Sequence, residues 1–415
     1  MTTEVAVLNK FGVALAADSA VTVETYVNAK SQRKVHNTAN KLFTLSKFEP
    51  VGIMLYNSVT LGGIPWETLI KVHRKQLFKT KYPALEDYAK QFFIWLNGGS
   101  VFDDEQTRWI VFTNLFQAFA SLKSSKNSKA AFVAALNKEI SELKKLADVE
   151  GFDAAFRTTV ANTYRATIDD CAKLVFKAKA SYLNGQKRKI VDFAVLLLTK
   201  QRRLDNYSGI VIAGFGENEM MPSLREYVVD IVVCGRVRFW LKDTKTIGPM
   251  NASEVVPLAD DEVIRTLITG ISPSFEDHVL GNAINLMISL PETILAPVSQ
   301  LTAVQKQKYT ADARKSLPQH FRDFYGKMTE HRDKNYTNPI KQAIASLSLS
   351  DLSAVAETFL SASQIQKRVN PDLETVGGPV DVAVISKGDG FVWVKRKHYF
   401  EERINPSFRL RYLEQ

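Results

Sequence analysis

Apolar and polar residues follow strand-like patterns at the start of the chain. The first 22 residues, MTTEVAVLNKFGVALAADSAVT, are apolar on both sides of NKFG, where Asn9 and Gly12 are typical of a hairpin turn. The pattern therefore predicts an opening β-hairpin whose second strand ends in a lone acid, Asp18. Further runs predict two strands and then a helix, at 41–46, 51–56 and 62–77.

The remainder of the chain alternates between helical and strand-like regions. Residues 84–205 repeat apolar positions at helical spacing and contain hardly any proline. Strand-like runs return at 208–216 and 225–241. A helix-rich region follows, in which we expect Ser350 to be the N-cap of the last helix, and two strands joined by Gly-Asp-Gly (388–390) come last.

This order of elements predicts an α/β protein built from layered antiparallel sheets rather than from βαβ units. At 415 residues the chain is long enough for two or three domains. We expect a discontinuous core formed by 2–83 and 206–415, interrupted by a mostly helical insertion at 84–205.

The composition is that of an ordinary globular protein, with 45% hydrophobic and 24% charged residues. The net charge of +10 raises the question of a nucleic-acid partner. However, the basic clusters are short and scattered, at 186–189, 200–203 and 395–398, and lie in no nucleic-acid-binding motif. We therefore expect solvated surface charge and no nucleic-acid partner.

Cysteine usage and apolar runs indicate the compartment. Cys171 and Cys234 are the only cysteines and form no CxxC pair, so neither a disulfide framework nor a zinc site is expected. Nothing resembles a signal peptide or the roughly 18 unbroken apolar residues of a membrane span. These features favour a cytoplasmic protein that does not bind a membrane.

Thr2 is a candidate nucleophile because of its place directly behind Met1. A threonine hydroxyl needs a base within hydrogen-bonding reach, and a terminal residue carries its own base in the α-amine. That amine has a reference pKa near 8 and is partly neutral at pH 7. Removal of Met1 alone would therefore produce a nucleophile and its base in one residue.

Four segments in order resemble the proteasome β-subunits and their bacterial relatives, the N-terminal nucleophile (Ntn) hydrolases. FGVALAADSAVT (11–22) resembles the family's GVVLAADSRxT-like motif, in which an Asp follows the terminal Thr at the spacing seen between Thr2 and Asp18. NKLFTLSKFEPVGIMLYNS is similar to the strand pair opened by the catalytic Lys. SGIVIAGFGE is similar to a later strand, and TVGGPVDVAVISKGDGFVW to the closing strand pair.

The resemblance implies a fold and a set of roles. The fold is a four-layer αββα sandwich of two antiparallel sheets, here with the helical insertion. Thr2 would be the nucleophile, Asp18 would orient a lysine, and that lysine would keep the α-amine unprotonated. The lysine is Lys41 by motif, since it opens KLFTL, and Lys34 by linear spacing; we favour Lys41.

Three positions depart from the family's pattern. Asn57 stands where a Gly usually supplies the oxyanion-hole amide, and Asn tolerates the required backbone better than most residues. The turn expected to carry a serine is VVPLADDEV, which offers only Asp260. Before the closing strands, Asp372 and Thr375 replace an Asp-x-x-Ser pattern.

The predicted function is therefore hydrolysis of amide or peptide bonds by a threonine nucleophile, without a cofactor or metal. The sequence contains no HExxH or GxSxG motif, and GFGENE departs from a dinucleotide loop. Expected partners are a peptide or protein substrate, further copies in a ring or smaller homo-oligomer, and an ATP-dependent unfoldase as a candidate. The alternatives are a catalytically silent proteasome-like scaffold or binding subunit, and an acylase for a non-peptide amide.

Overall fold

The computed structural model describes residues 3–27, 30–36, 38–98, 101–124, 128–369, 377–398, 400–408 and 410. It is a mixed α+β structure with two five-stranded sheets, and the described strand pairings are antiparallel. This confirms the α/β class and the antiparallel sheets predicted from the sequence. Among the described residues, no helix has both the length and the apolarity needed to cross a membrane.

The elements follow the predicted order along the chain. The N-terminal part contains β1 (Thr3–Asn9), β2 (Gly12–Ala17), β3 (Val21–Val27), β4 (Lys30–His36), β5 (Leu42–Thr44), β6 (Val51–Asn57), β7 (Thr60–Leu61), β8 (Ile64–Pro65) and α1 (Trp66–Leu77). The helical part contains α2 (Leu85–Asn97), α3 (Asp104–Ser124), α4 (Lys129–Lys145), α5 (Ala154–Thr163), α6 (Arg165–Val175), a 3₁₀ segment (Lys177–Leu183) and α7 (Lys187–Thr199). The C-terminal part contains β9 (Ser208–Gly214), β10 (Ser223–Val233), β11 (Arg236–Thr246), β12 (Ser253–Ala259), α8 (Glu262–Thr269), α9 (Pro273–Leu295), α10 (Ala303–Arg332), a π-helical turn (Asp333–Thr337), α11 (Asn338–Ala345), α12 (Leu349–Val369), β13 (Asp381–Ser386), β14 (Gly390–Lys395) and a final 3₁₀ turn (Glu402–Ile404).

The first sheet has the strand order β12-β1-β2-β13-β14. Its centre is the opening hairpin, in which β1 and β2 pair from Asn9 opposite Gly12 to Glu4 opposite Ala17. Every residue of both strands is buried, because each face of the sheet is covered. The predicted hairpin is therefore confirmed, and it lies at the centre of the protein.

The second sheet has the order β11-β10-β9-β6-β5 and packs face to face with the first. Alternate residues of β1 such as Ala6 and Leu8 point between the sheets, where they meet Met54 and Val211 of the second sheet. The intervening Val5 and Val7 point outward to the helices α8, α11 and α12. Helices α1 and α2 cover the outer face of the second sheet.

Helices α3 to α7 form an apolar core of their own. This core joins residues such as Phe119, Leu136 and Leu198, and it meets the second sheet through Ile231 and Val233 at the end of β10. Helix α2 packs on the second sheet instead. The insertion boundary at residue 84 stays a prediction.

A buried ion pair within the second sheet also hydrogen-bonds to this helical core. Arg238 on β11 lies 3.1 Å from Asp230 on β10, and both side chains are almost completely buried. The Arg238 guanidinium also donates to the carbonyl of Leu197 in α7 at 2.6 Å. A charge-assisted contact therefore connects a sheet strand to the last helix of the α3–α7 group.

One predicted helix start is wrong by two residues. The last helix begins at Leu349, and the hydroxyl of Ser348 accepts the backbone N–H of Asp351 at 3.2 Å. Ser348 is therefore the capping residue, while Ser350 lies within the first turn. Asp351 follows Ser348 by three residues and Ser350 by one. Residue type alone therefore does not show which serine is the N-cap.

Candidate active site

The end of the opening hairpin brings the first described residue next to the predicted acid. The backbone N–H of Asp18 donates to the carbonyl of Thr3 at 3.4 Å, one step beyond the last β1–β2 pair. Thr3 is fully buried, and its hydroxyl donates to the carbonyl of Asp260 at 3.4 Å. Thr2 lies outside the described residues, directly before this position.

A buried lysine stands between two carboxylates at this sheet end. The Lys41 ammonium contacts Asp18 Oδ1, and it lies 3.0 Å from Glu4 Oε1. All three side chains have 0% exposure. An ammonium withdrawn from water this completely requires such partners, so the arrangement holds Lys41 in one position.

The backbone around Asp18 and Lys41 fixes this cluster. The N–H of Gly377 donates to Asp18 Oδ2 at 3.1 Å, so the second oxygen of the carboxylate is also bonded. The N–H of Leu55 donates to the carbonyl of Lys41 at 2.8 Å, which anchors the lysine directly before β5. Ser19 is held nearby by an N–H···O bond of 3.3 Å to the carbonyl of Gly377.

Burial and charge act on Asp18 in opposite directions. Burial raises the pKa of the Asp18 carboxyl above its ordinary value, while the Lys41 ammonium and the Gly377 amide oppose this rise. The Lys41 ammonium and the Gly377 amide therefore stabilise the charged form of the Asp18 carboxyl, which burial disfavours.

The two candidate lysines occupy different places. Lys34 lies in β4 opposite Val23 of β3, in a separate two-stranded hairpin, and its side chain is outside the described part of the structure. Lys41 is brought to Asp18 by the pairing of β5 with β6 and by the packing of the two sheets. In the described structure, the Lys41 side chain therefore contacts the end of the opening hairpin.

Asn57 ends β6 with a left-handed backbone, at φ 62°. This conformation costs most residues energy, and Asn is among those that adopt it with the least strain. Asn57 lies opposite Ser208 in β9, two residues beyond Leu55, which bonds to Lys41. Asn57 therefore lies at the end of β6, the strand whose Leu55 bonds to Lys41.

Of the three remaining sequence candidates, Asp260 alone lies among the described residues. The carboxylate of Asp260 pairs with Lys367 of α12 at 2.6 Å, while its carbonyl accepts from Thr3. Asp372 and Thr375 lie outside the described residues. Gly377, which follows them, is the first residue of that segment with a described contact to Asp18.

Glu4 is a site residue that the sequence analysis missed. It occupies the strand phase of Ala6 and Leu8, which point between the sheets, and it is the one acid in the TEVAVLN strand. A charged residue in the inward phase of a fully buried strand is rare unless it has a buried partner. That alternation was the signal that could have identified it.

A second polar cluster lies beside the first and consists of the buried Tyr56 and Glu226 with the half-exposed Lys242. Tyr56 donates to Glu226, and the Lys242 ammonium lies 2.7 Å from the same carboxylate. Burial, followed by the charge of Glu226 and a smaller effect of Glu4, raises the pKa of Tyr56 far above its ordinary value. Tyr56 is therefore a neutral hydroxyl that donates to Glu226.

Taken together, the fold and the site define a mixed α+β protein of two packed antiparallel sheets with a buried lysine–dicarboxylate cluster at the end of its first hairpin. Among the described residues, no group of three or more His, Cys, Asp or Glu side chains is arranged to hold a metal ion.

Comparisons with known proteins give a distant structural likeness. No family model matches the chain, and no curated protein matches it. Among solved structures, the chain is similar to one described as an Anbu (Gly-1) mutant from Hyphomicrobium sp. strain MC1, with 8% sequence identity and a TM-score of 0.28. The alignment covers 99% of this chain and 95% of that one. A likeness of this degree does not identify a family or an activity.

Proposed function

We propose that the chain is an amide hydrolase with a proteasome-like Ntn core, and in the first place a peptidase. Thr2 is its nucleophile after removal of Met1. The observation that carries the proposal is the fully buried Asp18–Lys41 pair at the hairpin end where β1 begins. Burying an ion pair costs desolvation free energy. Such pairs are common at active sites, where they set the charge state of a neighbouring reactive residue.

The proposed reaction uses Thr2 as both nucleophile and base. The Thr2 hydroxyl attacks the amide carbonyl while the α-amine takes its proton, and the C–N bond then breaks as the proton passes to the leaving amine. The acyl ester that remains is cleaved by water, whose proton the same amine accepts. The products are a carboxylic acid and an amine, and the free hydroxyl is restored.

The buried cluster supports these steps through charge. The positive charge of Lys41 disfavours a second proton on the nearby α-amine, which keeps that amine available as a base. Asp18 holds the ammonium in place through one oxygen and is itself held by the Gly377 amide through the other. The backbone N–H at Asn57 is the proposed donor to the oxyanion.

Glu4 favours the alternative of a catalytically silent scaffold or binding subunit. Asp18, Lys41 and Glu4 together carry one net negative charge when all three are ionised. Net negative charge beside the α-amine favours its protonated form and weakens it as a base. The hydrolase proposal therefore requires the ammonium to lie closer to the amine than either carboxylate does.

A pair of lysine variants tests the role assigned to Lys41. Lys41→Met should reduce amide hydrolysis by about 100-fold or more, the usual scale for loss of proton-transfer control. The matched control Lys34→Met should keep nearly full activity. Activity would be measured on fluorogenic peptide amides, with circular dichroism to verify folding. Loss of activity in Lys34→Met but not in Lys41→Met would assign the role to Lys34.

A pair of threonine variants separates hydrolase from scaffold. Thr2→Ser keeps a hydroxyl and an α-amine and should retain activity, whereas Thr2→Ala should have none. Equal activity in Thr2→Ala and the wild type would contradict a terminal threonine nucleophile. A folded wild type that cleaves no amide substrate would support the scaffold.

A further inference from the structure

An exposed apolar surface lies on the α9–α10 hairpin. Helix α9 has 23 residues, none of which is buried, although the helix is rich in leucine and isoleucine. Helices shorter than about 12–15 residues are marginal alone, and longer ones still derive most of their stability in proteins from packing an apolar face. An apolar helix without a buried residue is therefore incomplete by itself.

One face of α9 lies against α10. Ile284, Met287 and Ile288 line a groove with Leu317 and Phe321 of α10. Two ion pairs hold the helices together, Arg314 to Glu292 at 2.9 Å and Arg332 to Glu276 at 2.8 Å. Helix α10 exposes the apolar side chains Val304, Tyr309, Phe324 and Tyr325. On α9 the groove leaves a further set of apolar side chains exposed.

A second face of α9 carries an apolar stripe that lies away from this groove. Its members recur at steps of 4, 4, 3, 4 and 4 residues, which places them on one side of the helix. Four of them are large side chains with exposures of 45–62%. The stripe consists of Phe275, Val279, Ala283, Leu286, Leu290 and Ile294.

The spacing of this stripe is the same when it is counted from either end. In an antiparallel pair of α9 helices, Phe275 would therefore meet Ile294 of a second copy, Val279 would meet Leu290, and Ala283 would meet Leu286. The small Ala283 leaves room for a leucine at the centre. An isologous two-fold contact requires this kind of self-complementary surface.

The charges on α9 also suit a second copy. Residues 278–291 contain no Asp, Glu, Lys or Arg, so two copies bring no like charges together at the two-fold axis. Antiparallel helix dipoles attract one another. An anionic membrane or nucleic acid would instead favour Lys and Arg beside the stripe, and α9 contains neither.

We propose that the α9 stripe pairs two copies of this chain across a two-fold axis, so that two α9–α10 hairpins form a four-helix bundle. The surface lies on a hairpin remote in sequence from Asp18 and Lys41. The contact is accordingly independent of the proposed hydrolase activity.

Multi-angle light scattering of the full chain, at micromolar concentration after gel filtration, tests this contact. The wild type should have the mass of two chains or a multiple of two. Leu286→Glu and Leu290→Glu should each halve the copy number, because each places a charge inside the proposed apolar contact. The matched control Asn285→Glu adds the same charge on the polar side of α9 and should leave the mass unchanged.

A cross-linking variant keeps the test independent of any folding defect. In a Cys234→Ser background, Ala283→Cys should give a covalent dimer with a short bismaleimide, and Asn285→Cys should not; native Cys234 is partly exposed and is therefore replaced, whereas Cys171 is buried. A monomeric wild type would overturn the proposal. So would an oligomer that both glutamate variants leave intact, or wild-type binding to lipid vesicles that Leu286→Glu abolishes.

Discussion

At the scale of single residues, the central feature is one ammonium shared by two carboxylates. Glu4 lies 3.0 Å from Lys41 and is as fully buried as Asp18. Removing one partner of a buried charge usually costs more than removing both, because the remaining charge loses its compensation. Here the removal of Glu4 still leaves the Lys41 ammonium paired with Asp18.

Glu4→Gln should therefore shift the pH dependence of hydrolysis. The charged groups of the cluster proposed to act on the α-amine are Lys41, Asp18 and Glu4, and the variant removes one negative charge from among them. The amine then releases its proton more easily, so the acidic limb of kcat/KM should move to lower pH by about one unit. The full pH–rate profile of both proteins measures this shift.

A purely structural role for Glu4 predicts a different result. The rate would then fall by a similar factor at every pH, and the acidic limb would not move. A shift toward higher pH would contradict the assigned charge effect.

A second residue-scale prediction concerns the space beside Tyr56. A Cβ on Gly209 would lie 1.8 Å from Cζ of the Tyr56 ring, which is fixed by its bond to Glu226. Gly209→Ala should destabilise the fold by about 3 kcal/mol, since overpacking forces the ring or the strand to move. Urea denaturation measures the loss. Gly388→Ala, where no atom lies within 4 Å, is the control and should change stability little.

At the scale of elements, the contact between α1 and α2 contains a buried histidine. The His73 ring lies 5.0 Å from Phe92 and 5.2 Å from Trp95 between ring centroids, and among the described residues neither ring nitrogen has a hydrogen-bond partner. Burial lowers the pKa of His73 to about 4. The α1–α2 contact is therefore built around a neutral imidazole.

This histidine should make the fold less stable in acid. Between pH 6.5 and about 4 the unfolded chain binds a proton at His73 that the folded chain does not, so the free energy of unfolding falls as the pH falls through that range. The full loss is about 3 kcal/mol. Denaturation of wild type and His73→Leu at pH 7 and pH 4.5 measures the difference. An equal pH dependence in both proteins would contradict a neutral buried His73.

Some elements follow from local pattern, and others from contacts that no local pattern contains. The opening hairpin is predictable because Asn9 and Gly12 specify the turn and the flanking residues are apolar. The closeness of Asp18 to Lys41 depends on the packing of two sheets, and only the family resemblance suggested it. Tyr56 and Glu226 are 170 residues apart, and neither carries a local signal of the other.

At the scale of the whole molecule, the described residues form several separate apolar cores. The core between the sheets supports the Lys41 cluster, while the core of α3 to α7 is joined to the second sheet through β10 and through Arg238. We propose that this helical insertion modifies access or assembly around the core. The α9–α10 hairpin is a third unit, whose exposed stripe we assign to a second copy.

The most direct test of the central claim is the intact mass of the protein purified from its native host, before and after treatment with a peptide epoxyketone. This reagent needs both a threonine hydroxyl and a free α-amine. The account predicts loss of Met1 and one adduct that maps to Thr2, with no adduct in Thr2→Ala. A retained Met1, or a processed chain that never forms the adduct, would contradict the claim that Thr2 is the nucleophile.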